Sequence, residues 1–384
     1  MASGPGRSDT LLSDEEKAMR EVAHDVATNE IRPVAKSADR NQQFPEEVWD
    51  TLAELEMTAI TVPETYGGLE VNKLTYSLIN EEIAYGSLAI ATALSVHCLA
   101  TSCLAEFGSA DQKEQWLPDM ADGRPVGAFA LSEPDAGSNP AEMSTVATRD
   151  DDEFILNGKK QWITNGKRSD IVIVFAKTDV DDPNSITQFV VPKDIDGVEV
   201  GKKEDKLGLR ASDTTTLLFD NARIPESYQL TPEGEGLSAA LRILTGGRIG
   251  IASQSVGVAQ AALEDAIAYA TEREQFGSPI GDIQTIRHKI AEMQTNIQAA
   301  RQLTRNTARR ADSGQDVRSA ASMAKYFASE TAVDVTNEAV QIHGGYGYVK
   351  EFDVERYYRD AKVTTIYEGT SEIQKEIIAR SLLD

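Results

Sequence analysis

The run LSAALRILTGGRIGIASQSVGVAQAALEDAIAYATEREQFG, residues 237–277, decides the fold class. Its apolar residues recur at helical spacing, which predicts one long helix. Two further runs of this kind follow, DIQTIRHKIAEMQTNIQAARQLTRNTARRADSG and VRSAASMAKYFASETAVDVTNEAVQIHGG, and a shorter run, TSEIQKEIIARSLL, begins after Gly369. Long helices with short connections predict a four-helix bundle over residues 233–384.

Upstream of this bundle the sequence changes to short β-type runs, between residues 124 and 232. The runs are VGAFALS, EFILNGKKQWITN, DIVIVFAK, ITQFVVPK and TTLLFDNARI. Turn residues separate them, which predicts a small β-barrel or sandwich. The pair Asn157-Gly158 is the strongest hairpin signal among them.

Residues 1–123 have the period of helices, with runs expected at about 45–57, 70–85, 87–108 and 110–122. Ser13 and Glu16 form a capping-box pattern at the start of the first helix. The predicted fold class is therefore α+β and multidomain. It comprises an N-terminal helical domain (1–123), a middle β domain (124–232) and a C-terminal four-helix bundle (233–384).

The charge is strongly acidic, with 62 acidic against 38 basic residues and a formal net charge of −24. Such a surface repels nucleic acid and anionic lipid, so neither is an expected partner. The excess is spread over segments such as DDDEF and KKEDK. Two interpretations stay open: adaptation to a high-salt cytoplasm, which makes the protein halophilic, and an ordinary acidic protein.

No targeting or metal-binding pattern stands out. We find no run of about 18 apolar residues and no secretory signal, so we expect no membrane insertion and a cytoplasmic location. Cys98 and Cys103 are the only cysteines and are expected to be buried thiols. The four histidines are scattered, so no metal site is expected.

The segment FALSEPDAGSN, residues 129–139, carries groups suited to a flat polar ring or a phosphate-bearing tail. Pro134 and Gly137 make a rigid turn with an approachable backbone, and Ser132 and Ser138 offer hydroxyls. Taken alone, an ordinary strand and turn explain this segment equally well.

The segment KQWITNG, residues 160–166, has a second such pattern. Trp162 and Thr164 are two apart on a predicted strand, so they point to the same side and can cover a ring and donate to it. A tryptophan in the core is the usual explanation of such a pattern.

The segment GGRIGIASQ places two glycines, Gly246 and Gly247, inside a helical run. Each destabilises a helix by roughly 1 kcal/mol relative to alanine, which indicates that another group packs closely against the backbone. Arg248 and Arg273 are of the residue type that binds phosphates.

The segments QIHGGYGY and RDAKVTTIYEGTSEIQ end the chain's unusual local sequences. Glu368 follows an apolar stretch and Tyr367, so a partly desolvated carboxylate with a raised pKa is expected. The N–H groups at the start of the Thr370 helix can hold an anion. A glutamate near a helix start is more often a simple partner of the helix dipole.

In this order, ALSEPDAGSN, QWITNG, GGRIGIASQ, EREQFG, QIHGGYGY and IYEGTSEIQ resemble the acyl-CoA dehydrogenases over nearly the whole chain. The resemblance implies that family's helix–barrel–bundle fold and FAD as the cofactor. It also implies an obligate oligomer, usually a homotetramer, because the family shares each FAD across a subunit boundary.

The resemblance implies three groups of cofactor-binding residues. Around the flavin ring it places Phe129, Leu131, Ser132, Trp162, Ile163 and Thr164, with Gly137 and Ser138 on the adjoining turn. The adenine–pyrophosphate half of a neighbouring subunit's FAD is assigned to Arg273, Gln275, Phe276, Gln284, Gln341, Ile342, His343, Gly344 and Gly345. The phosphate and ribose of the subunit's own FAD are assigned to Thr370, Ser371 and Glu372.

For catalysis, the resemblance makes Glu368 the base that removes the α-proton of an acyl-CoA while the β-hydride goes to flavin N5. The product is then a trans-2-enoyl-CoA, and an electron-transfer flavoprotein is the expected electron acceptor. The substrate-binding residues implied are Ser138, Thr245, Arg248, Tyr367 and Gly369. Some relatives carry the base at the position of Gly247, which has no side chain to act as one.

Departures from the family pattern affect the expected contacts. Asn139 replaces a common aspartate, and Thr245 replaces a common acidic residue before the glycines. The segment SLAIATALSVHCL lacks the arginine of relatives that act on dicarboxyl thioesters, which argues against glutaryl-CoA.

Three other functions are weighed against a dehydrogenase. An acyl-CoA oxidase generally has a longer chain, a non-catalytic flavoprotein would not need Glu368, and a purely structural bundle leaves the β motifs unexplained. The acyl group stays open between a straight short-to-medium chain and a branched one. Its pocket is expected to involve residues 80–105, 240–250 and Tyr367.

Overall fold

The computed structural model of the protein describes residues 12–383. Residues 1–11, part of the N-terminal segment in which no secretory signal was found, lie outside the described residues. The first helix begins as expected. The Ser13 hydroxyl accepts from the N–H of Glu16 at 3.1 Å, and the Glu16 carboxylate accepts from the N–H of Ser13 at 2.8 Å. The predicted capping box is confirmed.

From residue 12 onward, the N-terminal domain contains six α-helices, with a π-helical turn, Ala27–Ile31, between the first two. They are α1 (Asp14–Val26), α2 (Arg32–Asn41), α3 (Glu46–Glu54), α4 (Lys73–Gly86), α5 (Leu88–Phe107) and α6 (Ala110–Ala121). Cys98 and Cys103 in α5 are free and buried, as expected.

Helix α5 corrects one expectation from the sequence. By length and composition it is long and apolar enough to cross a membrane, although no such run was expected. Within the fold, 83% of its most apolar 18-residue window is buried. It packs against α4, α6, the sheet and the C-terminal helices, so its position in the core accounts for its composition.

The middle domain is one seven-stranded sheet. Its strands are β1 (Gly127–Ala130), β2 (Val146–Asp150), β3 (Glu153–Thr164), β4 (Ile171–Lys177), β5 (Ile186–Pro192), β6 (Val198–Lys203) and β7 (Thr214–Pro225). The order is β1-β4-β2-β3-β7-β6, and β5 pairs with β4. Strand β4 is buried along nearly its whole length because its alternating residues enter two different hydrophobic clusters.

The hairpin expected at Asn157-Gly158 is wrong, because β3 continues through this pair. Gly158 has a φ of +152°, and a Cβ there would lie 2.4 Å from the Thr145 hydroxyl, so the glycine permits a close approach of the chain. The pairing with β7 shifts register at this point, as in a β-bulge. The tight turn lies instead between β2 and β3 at Asp151-Asp152, where Asp151 has a φ of +53°.

Five α-helices follow the sheet: α7 (Gly236–Glu272), α8 (Gln284–Asp312), α9 (Arg318–His343), α10 (Val354–Lys362) and α11 (Ser371–Leu383). Helices α7, α8 and α9 pack on one another, and α11 packs on α9. Helix α7 also packs against α4 and α5, so the two helical domains share one hydrophobic core. The predicted order of helices, sheet and helical bundle is confirmed.

The helix expected over residues 237–277 ends earlier than its apolar period indicates. Helix α7 stops at Glu272, and the strands β8 (Glu274–Gln275) and β9 (Ser278–Pro279) form a two-residue ribbon. Phe276 and Gly277 form its turn with φ values of +57° and +86°. The glycine makes this left-handed turn accessible.

Candidate active site

Glu368 lies in the turn that precedes α11. Its φ is +53°, and that of the next residue, Gly369, is +88°. A residue with a side chain rarely adopts this left-handed conformation, so surrounding contacts must stabilise it. The Glu368 Oε2 atom is buried and has no hydrogen-bond partner in the described part of the chain.

Two side chains hold this turn by its carbonyl groups. Gln374 Nε2 donates to the carbonyl of Glu368 at 3.1 Å and to that of Gly369 at 3.0 Å. Lys325 Nζ donates to the carbonyl of Gly369 at 2.7 Å. A Cβ at position 369 would lie 2.5 Å from Gln374 Nε2, and the φ of +88° also favours glycine where these groups converge.

The carboxylate of Glu368 lies against α7 at Gly247. A Cβ at position 247 would be 2.9 Å from Glu368 Oε2 and 3.4 Å from Leu99 Cδ2. The close packing that the sequence indicated is therefore present at Gly247. It is absent at Gly246, where the nearest atom to such a Cβ is Lys73 Nζ at 3.8 Å.

The electrostatics around Glu368 favour a carboxyl group that changes its protonation state near neutral pH. Burial raises its pKa to about 7, and the positive charges of Arg248 and Lys325 partly oppose that rise. Burial also lowers the pKa of Arg248, whose Nε atom has no partner within the described chain. A buried carboxylate with a raised pKa was expected from the sequence, and such groups are concentrated at functional sites.

A cavity of about 440 Å³ lies between α4, α5 and α7, and Gly247, against which the Glu368 carboxylate lies, is one of its lining residues. Thr245, Gly246 and Gly247 line one side of it. The other lining residues are Thr61, Pro63, Glu70, Lys73, Tyr76, Cys98, Leu99, Ser102, Ala105, Glu106, Arg242, Ile243, Ile249, Ala311 and Val317. The contributions of α5 and α7 were expected, whereas those of residues 61–76 and 311–317 were not. Tyr367, which was also expected, is not among the lining residues.

Two tyrosines lie near Glu368. The hydroxyl of Tyr367 lies 3.4 Å from Thr92 Oγ1 on α5. Tyr76, on α4, lines the cavity, and burial raises the pKa of both phenols. Both are therefore neutral groups that can donate a hydrogen bond at physiological pH.

The two β motifs lie side by side. The N–H of Gln161 donates to the carbonyl of Ser132 at 2.9 Å. Lys160 Nζ forms a buried ion pair with Glu133 at 2.8 Å and donates to the carbonyl of Leu131 at 3.3 Å. Leu131 and Ser132 are therefore fixed next to the strand that carries Trp162.

Trp162 is not a core residue, since 59% of it is exposed and its φ is +63°. It lies where the pairing of β3 with β7 shifts between Lys160 and Ile163. Ile163 is buried and Thr164 half-buried. A large exposed aromatic group at a bulge is typical of a ligand-facing position.

Helix α5 connects this motif with the turn of Glu368. Asn165 Nδ2 donates to the carbonyl of Ala93 at 2.9 Å, and the neighbouring Thr92 contacts Tyr367. The end of β3 therefore contacts α5 at Ala93, and the residue before Glu368 contacts α5 at the neighbouring Thr92.

Most of the expected adenine-binding residues form a separate cavity of about 710 Å³. It is lined by Arg273, Gln275, Phe276, Ile342, His343, Gly344 and Gly345, together with Tyr269, Ile280, Ile283, Ile286, Tyr346, Val349 and Glu351. Gln284 and Gln341 are exposed and are not among its lining residues. This cavity is distinct from the one beside Glu368.

The remaining predicted residues lie on β1, on the loop after it and at the start of α11, and none of them lines either cavity. Phe129 is half-buried against Phe175, with ring centroids 4.9 Å apart, and Gly137 and Ser138 are exposed on the following loop. Three residues open α11: Thr370 Oγ1 accepts from the N–H of Ile373 at 3.3 Å, Ser371 is buried against Glu330, and Glu372 is exposed.

These surroundings fit FAD. Trp162 offers an uncovered indole beside two hydroxyl-bearing residues, Ser132 and Thr164. In the second cavity, the Arg273 guanidinium lies 5.6 Å from the Tyr346 ring, and Gly344 and Gly345 have no atom within 4 Å of a Cβ position. An aromatic face and hydroxyls suit a flavin ring. A cation suits a pyrophosphate, and a second aromatic face with open backbone suits an adenine.

Sequence reasoning missed Lys325, Gln374 and Tyr76. A signal for Lys325 was present, because it lies on the same stripe of α9 as Ala321, Ala324 and Ala328, where a charged residue is unexpected. Gln374 ends the segment IYEGTSEIQ and its two contacts are local, but no pattern marked its side chain as one that holds the turn. Tyr76 follows no such pattern either, since α4 and the Glu368 turn are far apart in the chain.

Comparison with known proteins identifies the class to which this fold and site belong. Models of three acyl-CoA dehydrogenase domains match the chain consecutively: the N-terminal domain over residues 13–124, the middle domain over 128–222 and the C-terminal domain over 234–383. The chain belongs to the acyl-CoA dehydrogenase family. Members of this family are FAD-dependent, and a solved structural neighbour contains FADH2.

Three similar proteins illustrate the relationship. An acyl-CoA dehydrogenase of Bacillus subtilis is 45% identical, covering 97% of this chain and 99% of its own. The mitochondrial short-chain specific acyl-CoA dehydrogenase of Bos taurus is 42% identical, covering 97% and 91%. The structure of butyryl-CoA dehydrogenase from Megasphaera elsdenii superposes with a TM-score of 0.94 at 40% identity, covering 97% and 99%. The protein is thus an acyl-CoA dehydrogenase, a flavoprotein oxidoreductase.

Proposed function

We propose that the protein oxidises a short straight-chain acyl-CoA to its trans-2-enoyl-CoA, with Glu368 as the base. The observation that carries this proposal is the placement of Glu368 Oε2. It is buried and unpartnered, and it lies against Gly247 at the wall of a cavity. We infer that an acyl chain in that cavity brings its α-carbon to this carboxylate oxygen, which no internal hydrogen bond occupies.

In the proposed reaction, Glu368 takes one proton from the α-carbon. When bound, FAD would supply an acceptor for the β-hydrogen together with its electron pair. The carbon chain thereby gains a double bond, and Glu368 becomes a neutral acid. Since its pKa is about 7, both protonation states are accessible near neutral pH.

Removal of an α-proton also requires stabilisation of the charge that develops on the thioester oxygen. We assign this to the backbone N–H of Glu368, because its turn lies outside α10 and α11 and no described group accepts from it. Arg248 adds a buried positive charge near the same carboxylate.

Short chains are favoured by the relatives and by the cavity. The 42% identical protein of Bos taurus is named short-chain specific, and the Megasphaera elsdenii structure is a butyryl-CoA dehydrogenase. Within the cavity, Leu99, Ile243 and Ile249 are apolar, but Glu70 and Lys73 place charges in the same lining. Those charges disfavour a long apolar chain.

We also propose the partners that the resemblance implied. A second subunit would bring its FAD to the cavity that Arg273 lines. Near this cavity, the side chains of Phe276 and Tyr348 are 97% and 89% exposed. Covering these rings in an oligomer, a homotetramer in our proposal, would remove apolar surface from water. Electrons would leave to an electron-transfer flavoprotein.

The test follows flavin absorbance anaerobically while thioesters of different length are added to the FAD-loaded protein. We expect bleaching with butyryl-CoA to be faster than with octanoyl-CoA, isobutyryl-CoA or glutaryl-CoA. Fastest bleaching with a branched or dicarboxyl thioester would overturn the proposed substrate class.

The matched variants are E368Q and E376Q. Both remove one carboxylate from the same segment, but Glu376 is exposed and pairs with Arg380 at 2.7 Å. We expect only E368Q to abolish bleaching. Rapid reoxidation of the reduced protein by oxygen, at a rate matching turnover, would indicate an oxidase instead.

A further inference from the structure

Lys325 is a buried cation that the proposed mechanism does not use. It lies in the middle of α9 and has no exposed surface. A lysine is almost never fully buried unless it is paired. Its neighbours on the buried stripe of α9 include Ala321, Ala324 and Ala328.

The contacts of Lys325 point to the turn of the base. Its ammonium group donates to the Gly369 carbonyl at 2.7 Å, one residue after Glu368. Among the described residues, no carboxylate oxygen lies within 4 Å of the Lys325 ammonium group, so Lys325 forms no ion pair there. The negative charges that act on it are, from the strongest, those of Glu368, Glu330 and Glu372.

We propose that Lys325 is a positioning residue for the base: its ammonium group holds the Glu368–Gly369 turn by a carbonyl and supplies a positive charge that favours the ionised, proton-accepting form of Glu368. This inference rests on the proposed function, since it assigns Lys325 a role in the same proton transfer. No covalent step is added.

Several charged and titratable groups share this environment, from each element packed around the turn. They are Tyr76 of α4, Arg248 of α7, Lys325 and Glu330 of α9, Tyr367 beside the base, and Glu372 of α11. Only Arg248 and Lys325 oppose the effect of burial on Glu368. Since Arg248 remains in any Lys325 variant, the expected change is a shift in the pKa of Glu368 and not the loss of its ionisation.

Gln374 provides the comparison that separates charge from position. Its side chain holds the carbonyls of Glu368 and Gly369, the second of which Lys325 also holds, but it carries no charge. A purely structural role for Lys325 therefore predicts that K325M and Q374L behave alike. The proposed role predicts that only K325M changes the pH dependence of the base.

The experiment measures the rate of anaerobic flavin reduction by butyryl-CoA from pH 5.5 to 9 in the FAD-loaded protein. The variants are K325M, K325Q, K325R and Q374L. K325Q keeps a donor for the Gly369 carbonyl, so it serves as the second neutral variant if K325M does not fold. In parallel, infrared spectroscopy follows the carboxyl band that E368Q lacks, which titrates Glu368 without turnover.

The matched control is K289M. Lys289 pairs with Glu338 between α8 and α9, and this contact lies 13 residues further along α9, about 20 Å away along the helix axis. It changes the net charge as K325M does, far from the base.

We expect K325M and K325Q to move the acid limb of the rate profile, and the infrared titration, upward by about one pH unit. K325R, Q374L and K289M should leave both within the error of wild type, although Q374L should reduce the maximal rate. An unchanged limb and titration in a folded neutral variant would overturn the proposal. If wild-type protein is not bleached, the proposed function fails, whereas the infrared shift still decides the role of Lys325.

Discussion

At Glu368 the protein keeps a carboxylate oxygen away from water without giving it a hydrogen bond. The left-handed backbone of Glu368 and Gly369 is stabilised by Lys325 and Gln374, and Gly247 leaves room for the carboxylate. A buried charge without a partner destabilises a fold. The site therefore combines reactivity with a local loss of stability.

This loss predicts that E368Q is more stable than wild type above neutral pH. The pKa of Glu368 rises from 4.5 to about 7 on folding, so its contribution to stability is present below pH 4.5 and lost as pH rises to about 7. Up to roughly 3 kcal/mol separates the two proteins above that pH. Urea unfolding of both proteins at pH 5, 6 and 8 measures this.

The difference between E368Q and wild type should grow across those three pH values. A difference that stays constant, or that favours wild type at pH 8, would show that Glu368 is not destabilised by burial. E376Q, at an exposed ion pair, is the control and should show little pH dependence.

At the scale of elements, the contact between α7 and the Glu368 turn depends on one missing side chain. In G247A the new Cβ would lie 2.9 Å from Glu368 Oε2, which displaces the carboxylate. We expect the rate of flavin reduction to fall roughly 100-fold, since small misplacements of a catalytic group have effects of this size.

G246A is the matched variant, because its Cβ meets no atom closer than Lys73 Nζ at 3.8 Å. It should stabilise α7 by up to about 1 kcal/mol and lower the rate far less. Equal losses in both variants would contradict the assigned contact. Stopped-flow absorbance and thermal unfolding of the two proteins make the comparison.

The ion pair between β3 and the segment after β1 predicts a second effect. Burial alone would raise the pKa of Glu133, but the positive charge of Lys160 lowers it to about 2. Burial lowers the pKa of Lys160 to about 8. The two shifts act oppositely on stability, so the pair itself adds little. Breaking it leaves a buried unpaired lysine.

E133Q should therefore destabilise the fold by about 3–5 kcal/mol and weaken FAD retention, because Lys160 also holds the Leu131 carbonyl. The double variant E133L/K160M should recover much of the stability. Urea unfolding and the FAD content after dialysis test this. Equal stability of E133Q and wild type would contradict it.

Which elements could be predicted from sequence depends on where their determinants lie. The capping box at Ser13 depends on two residues three apart, and it was predicted correctly. Where β3 continues through Gly158, the chain passes close to Thr145, and after Glu272 the backbone turns at Phe276 to form the ribbon. The local sequence predicted a hairpin at Gly158 and a continued helix after Glu272. Contacts with a neighbouring segment at the first place and the turn at the second gave a different structure.

The site shows the same division. The raised pKa of Glu368 was expected from its local sequence, whereas the family followed from six motifs taken together. The cavity walls at residues 61–76 and 311–317, and the hydrogen bond of Lys325, require segments far apart in sequence. No period or motif brings such segments together.

At the scale of the whole molecule, the net charge of −24 predicts stability that depends on salt. Mutual repulsion of the excess carboxylates destabilises the compact state, and salt shortens its range from about 10 Å at 0.1 M to about 3 Å at 1 M. We expect the melting temperature to rise between 0.05 and 0.5 M KCl. Choline chloride should reproduce the rise if screening is the cause, and a flat response would contradict it.

The central claim is that Glu368 removes the α-proton of the thioester. Its most direct test is the rate of anaerobic flavin reduction by butyryl-CoA deuterated at the α-carbon, compared with unlabelled substrate, in wild type and E368Q. The account predicts a primary isotope effect in wild type and no reduction in E368Q. Reduction of the flavin in E368Q at a rate close to that of wild type would contradict it.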